Sequence, residues 1–350
     1  MPARRSKPAP CGTIKINRPL IIRLAQGFAF INQVIQTYTV FKVSHPGSVV
    51  RVSSIKILML VIPALLYSAA QADQSIKLAA IDKAKTNSTT GPGTSHWDRL
   101  NPKKLNLRSE SVLIIDNQGE TVFAKQADTP RPIASITKLM TAMVILDAKL
   151  PMDEKIKITR ADRDQLRLTG SRLDYGAALN RKDMLKVALI ASDNRAAAAL
   201  ARTYPGGKAQ LVKAMNKKAA SLGMKNSRFT DPTGLDAGNV ATAYDLSLLI
   251  RHALKQYPLI RSATTTEKIE VHPFRKRGSL TFGNTNRLLK SDSWEIMLSK
   301  TGYINEAGRC LVMAAEIADR PLVIVLLNSF GKLTPFGDSN RLRKWIEAAL

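Results

Sequence analysis

Residues 131–146 read Arg131-Pro-Ile-Ala-Ser135-Ile-Thr-Lys138-Leu-Met-Thr-Ala-Met-Val-Ile-Leu146. The spacing predicts a strongly apolar helix over Ser135–Leu146, with Lys138 one turn after the serine and on the same face. Further helices are expected at Arg181–Ile190, Arg195–Thr203, Lys208–Leu222, closed by Gly223 as a C-cap, and Leu246–Lys255, opened by Thr242-Ala-Tyr-Asp245 as a variant capping box. Strand-like runs lie on both sides of this block. Ser111–Asp116 and Thr121–Lys125 flank Asn117-Gln-Gly-Glu120, a hairpin signal, while Lys268–Val271, Glu295–Thr301, Arg309–Glu316 and Leu322–Asn328 follow the helices. A closing amphipathic helix is expected at about Asn340–Ala349, with Leu342, Trp345, Ile346 and Ala349 on one side. Strands at both ends with helices between them predict an α/β (α+β) domain over 105–350, a mostly antiparallel sheet assembled from terminal segments, flanked by helices and carrying a helical subdomain.

Upstream of that domain, residues 73–104 are rich in Ser, Thr, Asn, Lys and Gly and read as a flexible linker. Residues 1–72 carry nine basic and no acidic residues. Within them Arg51 and Lys56 precede the apolar run Ile57–Leu66, and Ala70-Gln-Ala72 follows, the three parts of a secretory signal with cleavage expected after Ala72. The run is shorter than the ~20 apolar residues a bilayer requires, and Pro63 interrupts it. A basic region this long exceeds what a signal needs, so residues 1–48 are expected to precede the true start of translation, near Val49 or Val50. Export of this kind places the mature chain in the periplasm.

The net charge of +26 falls to +17 over residues 73–350 and calls for an anionic partner: nucleic acid, acidic lipid or a carboxylate-rich polymer. Arg275-Lys-Arg277 and Lys217-Lys218 have little aromatic interleaving, and export removes the chain from nucleic acid, so that partner is set aside. A membrane is expected to matter only during export. Cys11 lies in the leader, which leaves Cys310 with no intramolecular disulfide partner and the reading of a small buried residue on a strand. The four histidines form no HExxH or other close pair, so neither a metal nor a cofactor is expected.

Three short patterns carry the chemistry: Ser135-Ile-Thr-Lys138, Ser192-Asp-Asn194 and Lys300-Thr-Gly302, in that order and separated by 57 and 108 residues. The first pattern alone selects nothing, because Ser53-Ser-Ile-Lys56 and Ser329-Phe-Gly-Lys332 also fit it. The other two occur once each. A serine hydroxyl is a weak nucleophile until a base takes its proton, and Lys138 can do so if burial and nearby positive charge, for which Lys300 is the candidate, lower its pKa. The helix start adds backbone N–H groups where an oxyanion develops. Ser192-Asp-Asn194 falls in a turn between helices, with Asp193 structural. Lys300-Thr-Gly302 is expected to end a strand, with Lys300 and Thr301 holding a carboxylate and Gly302 allowing close approach of substrate backbone.

This triplet resembles that of penicillin-binding proteins and serine β-lactamases. From Asn106 to Leu350, and especially over Ala127–Val144, Phe229-Thr-Asp-Pro-Thr-Gly-Leu235 and Lys300–Glu316, the chain is similar to low-molecular-mass penicillin-binding proteins of the D-alanyl-D-alanine endopeptidase type. The resemblance implies a β-lactamase/D,D-peptidase-like fold and hydrolysis of D-alanyl-diaminopimelate crosslinks in peptidoglycan through a Ser135 acyl-enzyme. It also implies Lys138 as general base, Ser192 as proton relay between Lys138 and the leaving amine, Asn194 on the substrate amide and on Lys138, and the Tyr303 backbone N–H completing an oxyanion hole with that of Ser135. A β-lactamase of this class needs a deacylating Glu soon after Ser192-Asp-Asn194, and no Glu occurs from Lys155 to Thr266. β-Lactams are therefore expected to trap Ser135 as covalent inhibitors. Carboxypeptidase members usually carry a further C-terminal β-rich domain, and this chain ends 48 residues after Gly302, which favours the endopeptidase. Carboxypeptidase activity and an inactive peptidoglycan-binding scaffold are the alternatives.

Overall fold

A computed structural model of the chain describes residues 97–274 and 278–349. The expected leader and most of the expected linker lie outside the described residues. Five strands form one antiparallel sheet in the order β2-β1-β11-β10-β9: β1 (Ser109–Asp116), β2 (Thr121–Lys125), β9 (Glu295–Ile304), β10 (Gly308–Ile317) and β11 (Arg320–Ser329). The first two come from one end of the domain and the last three from the other. The β1–β2 turn is organised by Asp116, whose Oδ1 accepts the N–H groups of Gln118, Gly119 and Glu120 at 2.9, 2.9 and 2.8 Å.

The period of two along the strands sorts side chains into two apolar layers. Leu113 and Ile115 of β1, Val312 and Ala314 of β10, and Val323, Val325 and Leu327 of β11 face the larger core, with the helices. Their neighbours Val112, Ile114, Leu311, Met313, Ala315, Leu322, Ile324 and Leu326 face a smaller one on the opposite side. The helices on the large core are α1 (Thr137–Asp147), α2 (Arg181–Ile190), α3 (Asn194–Arg202), α4 (Gly207–Ser221), α5 (Ala243–Gln256) and α6 (Pro258–Thr265), and α7 (Thr334–Glu347) covers the other face. Each fully buried aliphatic side chain in these layers contributes about 1.5–3 kcal/mol. Asp338 ties α7 to β1 by accepting from the backbone N–H of Ser109 at 2.7 Å and from the Ser109 hydroxyl at 2.5 Å.

Several boundaries differ from those read in the sequence. Trp97 and Leu100, within the segment expected as linker, are buried in the smaller core, so packing begins ahead of Leu105. The last helix starts at Thr334 instead of Asn340, because Pro335 suits a first helical turn, where no N–H is needed. Thr242 caps α5 by accepting from Asp245 N–H at 3.1 Å, but the Asp245 carboxylate bonds Asn226 N–H and the Ser227 hydroxyl in place of the reciprocal arm of a capping box. Three two-stranded ribbons go beyond the expected elements: β3 (Arg131–Pro132) with β6 (Val240–Ala241), β4 (Lys155–Lys157) with β5 (Ala178–Asn180), and β7 (Lys268–Val271) with β8 (Leu280–Gly283). Of their strands only β7 was read from the sequence.

Candidate active site

Ser135 does not open the α-helix. It sits in the middle of a single 3₁₀ turn, Ala134–Ile136, and α1 begins at Thr137. The turn is tight because Ala134 has φ of +48°, a left-handed conformation that costs about 1–3 kcal/mol for a non-glycine residue and persists only when its surroundings impose it. Two glycines pack directly against it. A Cβ on Gly302 would stand 2.8 Å from Ile133 O and 3.1 Å from Ser135 N; one on Gly234, whose φ is +81°, would stand 1.9 Å from Ala134 O. The nucleophile turn is thus wedged between two backbones that approach it with no side chain in between.

Lys138, 1% exposed, points back along its own face as the i, i+3 spacing requires. Its Nζ lies 2.8 Å from Ser135 Oγ, 2.7 Å from Asn194 Oδ1 and 2.6 Å from Thr233 O. Two of these partners are carbonyl oxygens, which only accept. A neutral amine gives them its two N–H bonds and turns its lone pair to the serine hydroxyl. Burial lowers the Lys138 pKa from 10.5 to about 8, and Asp231, Asp193 and Asp164 pull the other way. Burial, one of the two causes expected, dominates this lowering.

Lys300, also buried, has its own pKa pushed well below the ordinary range, first by burial and then by the charge of Lys138. Its Nζ donates to Ser192 Oγ at 2.8 Å and to Thr301 O at 2.9 Å. Ser192, expected beside Lys138, instead meets Lys300. It too is left-handed, at φ +58°, in the turn between α2 and α3. Asp193 plays the structural part expected of it, capping α3 through Ala196 N–H at 2.8 Å and accepting from the Ser171 hydroxyl at 2.7 Å. Lys300-Thr-Gly302 lies inside β9, not at its end, since pairing with β10 continues to Ile304 opposite Gly308. Among the described residues β9 is the outer strand of the sheet, so its outer edge can receive an extended peptide. Thr301 donates to Thr285 Oγ1 at 2.6 Å, and Tyr303, 47% exposed, follows Gly302 along the strand.

Sequence reasoning assigned no role to two loops that complete the site. In the first, Asp231 accepts from Thr233 N–H at 3.2 Å, Gly234 N–H at 2.8 Å, and the Thr233 hydroxyl and Asn239 amide, which presents Thr233 O to Lys138 and Gly234 to the nucleophile turn. Asp-Pro-Thr-Gly was its visible turn signal. In the second, Thr169 Oγ1 accepts from Asn194 Nδ2 at 3.0 Å, and Arg167 reaches Leu235 O at 2.6 Å and Glu306 at 2.8 Å, in the β9–β10 turn. Leu166-Arg-Leu-Thr-Gly170 gave no signal beyond that of a loop.

The arrangement joins a serine, a base held at its hydroxyl and an open strand edge, the parts of an acyl-transfer site. The chain is similar to the D-alanyl-D-alanine endopeptidase of Pseudomonas aeruginosa, at 49% identity over 247 residues, 70% of this chain and 79% of the relative. Among solved structures it is similar to the Streptomyces K15 DD-transpeptidase, with a TM-score of 0.64 and 28% identity, covering 69% of this chain and 98% of that one. It is also similar to penicillin-binding protein D2 of Listeria monocytogenes in its ampicillin-bound form, with a TM-score of 0.59 and 28% identity, covering 69% and 98%. With the D-alanyl-D-alanine carboxypeptidase model matching residues 98–331, the chain belongs to that family, peptidase S11.

Proposed function

We propose that this chain is a serine D,D-endopeptidase that cleaves D-alanyl-diaminopimelate crosslinks of peptidoglycan in the periplasm, through an acyl-enzyme on Ser135. The observation that carries the reading is the contact between a buried lysine of lowered pKa and the hydroxyl of a serine on a constrained turn. The endopeptidase assignment draws on the relative of that name at 49% identity, and the periplasmic one on the signal-like run before Ala72.

In the first half-reaction neutral Lys138 takes the Ser135 proton as Oγ attacks the D-alanyl carbonyl carbon. The resulting oxyanion lies against the N–H groups of Ser135 and Tyr303. Collapse breaks the C–N bond and the proton held by Lys138 passes to the departing amine, while Ser192, the expected relay, is held at the site by Lys300. Water then attacks the ester, Lys138 accepts its proton and returns it to Ser135 Oγ as the C–O bond breaks, and the acid is released with Ser135 and neutral Lys138 restored. Asn194 orients Lys138 through Oδ1, and its Nδ2 is held by Thr169. Lys300 and Thr301 line the edge strand where a substrate carboxylate would sit. A β-lactam acylates Ser135 by the same first step, but its leaving group stays tethered, and no Glu lies between Ser192-Asp-Asn194 and Thr266 to speed deacylation.

The test is labelling with fluorescent penicillin. The unsubstituted chain should label, Ser135→Ala should not, and Lys138→Ala should acylate about 10²–10⁴-fold more slowly. Equal labelling of the unsubstituted chain and Ser135→Ala would overturn the nucleophile. Cleavage of crosslinked dimers in preference to monomeric pentapeptides would separate endopeptidase from carboxypeptidase.

A further inference from the structure

At the end of the sheet where β2, β9 and β11 finish and β1 and β10 begin lies a cavity of about 720 Å³, lined in part by Tyr303. Its wall carries four cations, Arg108, Lys125, Arg309 and Lys332, and one acid, Glu110. Glu110 is already engaged, by Arg131 at 2.8 Å and by the Asn328 amide. Lys125 is held by Leu107 O and Ser109 O at 3.3 and 2.9 Å, which places its charge in the wall without a carboxylate. Among the described residues the lining is therefore net cationic, with its one carboxylate already paired to Arg131.

Arg309 is the feature built for a ligand. It lies directly across from Tyr303 in the β9–β10 register, with its guanidinium carbon 3.6 Å from the centre of the tyrosine ring. Stacking fixes the plane of the guanidinium and leaves the N–H groups at its rim to donate, the arrangement that suits a bidentate carboxylate. Tyr303 follows Gly302, whose backbone abuts the Ser135 turn, so a peptide extended along the free edge of β9 runs past the nucleophile toward this cavity.

We infer that the cavity is an anion subsite in which Arg309, supported by Arg108 and Lys332, takes a carboxylate of the peptide stem being cleaved. The inference rests on the endopeptidase reading and extends it: the stems of crosslinked peptidoglycan carry free carboxylates, and this is where the strand edge delivers one. The subsite would make the enzyme selective for acidic over amidated stems.

Binding is measured on the full chain carrying Ser135→Ala, with two crosslinked stem dimers that both keep the carboxylate next to the scissile bond, which Lys300 and Thr301 would hold, and differ only in whether their other free carboxylates are intact or amidated. The intact dimer should bind about tenfold more tightly, the scale of one hydrogen-bonded contact to a charged group. Adding Arg309→Gln should bring the two affinities together, and Arg309→Lys should retain part of the difference. Arg108→Gln with Lys332→Gln, which leaves the Tyr303 stack in place, should also narrow it and serves if Arg309→Gln fails to fold by thermal unfolding. Equal affinities for the two dimers, or a preference that survives in the variants, overturns the subsite. Cleavage of the intact dimer by the unsubstituted chain is scored separately: its failure counts against the endopeptidase reading, while the titration still decides the subsite.

Discussion

Replacing Gly234 with alanine should damage the enzyme in a way that separates two costs. The new Cβ would lie 1.9 Å from Ala134 O, 2.3 Å from Ala134 C and 2.8 Å from Ser135 N. These are backbone atoms, which no rotamer change moves aside, and bringing the first even to the shortest tolerated contact, 3.0 Å, means displacing the nucleophile turn by about 1 Å. Forcing a side chain into the left-handed conformation at φ +81° costs about 1–2 kcal/mol. Overpacking adds about 1–3 kcal/mol. Together these give about 2–5 kcal/mol, or a fall in Tm on the order of 10 °C for a domain of this size. A displacement of about 1 Å at the reacting group should also slow penicillin acylation about 10²-fold. Gly223→Ala is the control, because φ there is +78° but nothing lies within 4 Å of the added Cβ. It carries the backbone cost alone and should lose about 1–2 kcal/mol with no change in acylation rate. If Gly234→Ala matches Gly223→Ala in both Tm and acylation, the wedge between Gly234 and the nucleophile turn is not what holds Ser135.

Three further outcomes are expected. Arg167→Ala and Glu306→Gln should each slow cleavage of crosslinked dimers more than penicillin acylation, because Arg167 joins the Thr169 loop to the β9–β10 turn and to Leu235; steady-state kinetics on both substrates checks this. Cys310 should resist alkylation until the chain unfolds, because burial raises its thiol to about 11 and the Sγ donates to Ala307 O at 3.5 Å; mass spectrometry after iodoacetamide treatment reads it out. Below about pH 8 Lys138 is protonated in both states and its burial costs about 3 kcal/mol; as pH rises from about 8 toward 10.5 the unfolded chain retains a proton that the folded chain has lost, so stability relative to Lys138→Met should increase across that window in denaturant titrations.

What could be read in advance follows from how locally each feature is encoded. β1, β2 and α2 announce themselves by apolar period and turn chemistry, and their observed limits lie within two residues of those read from sequence. The five-stranded order was implied only as terminal strands joining, since no local pattern states that Asp116 pairs with Leu322. Ser135, Lys138, Ser192, Asn194 and Lys300 could be chosen because their motifs occur in order, but the partner of each is a matter of tertiary placement. Lys300 sits beside Ser192 because β9 and the α2–α3 turn converge from positions 108 residues apart. Asp231 and Thr169 were assigned no role for the same reason: each acts by positioning an atom of another segment, and a loop sequence carries no mark of the backbone it will hold.

The two buried lysines suggest that substrate binding itself prepares the base. Burial and then the charge of Lys138 push the Lys300 pKa well below the ordinary lysine range, and burial brings Lys138 to about 8. A carboxylate arriving at Lys300 and Thr301 favours the protonated form of Lys300. Repulsion between charges is mutual, so that proton disfavours a second one on Lys138 and frees its lone pair for Ser135. The consequence can be measured in the pH dependence of acylation. For an uncharged penicillin ester the rate should rise tenfold per pH unit below about 8 and level off above it, following neutral Lys138. For the parent acid, which brings its own carboxylate, the midpoint should move to lower pH, and Lys300→Met should remove the difference between ester and acid. Identical midpoints for the two penicillins would mean that Lys300 binds substrate without tuning the base, and that burial alone sets Lys138.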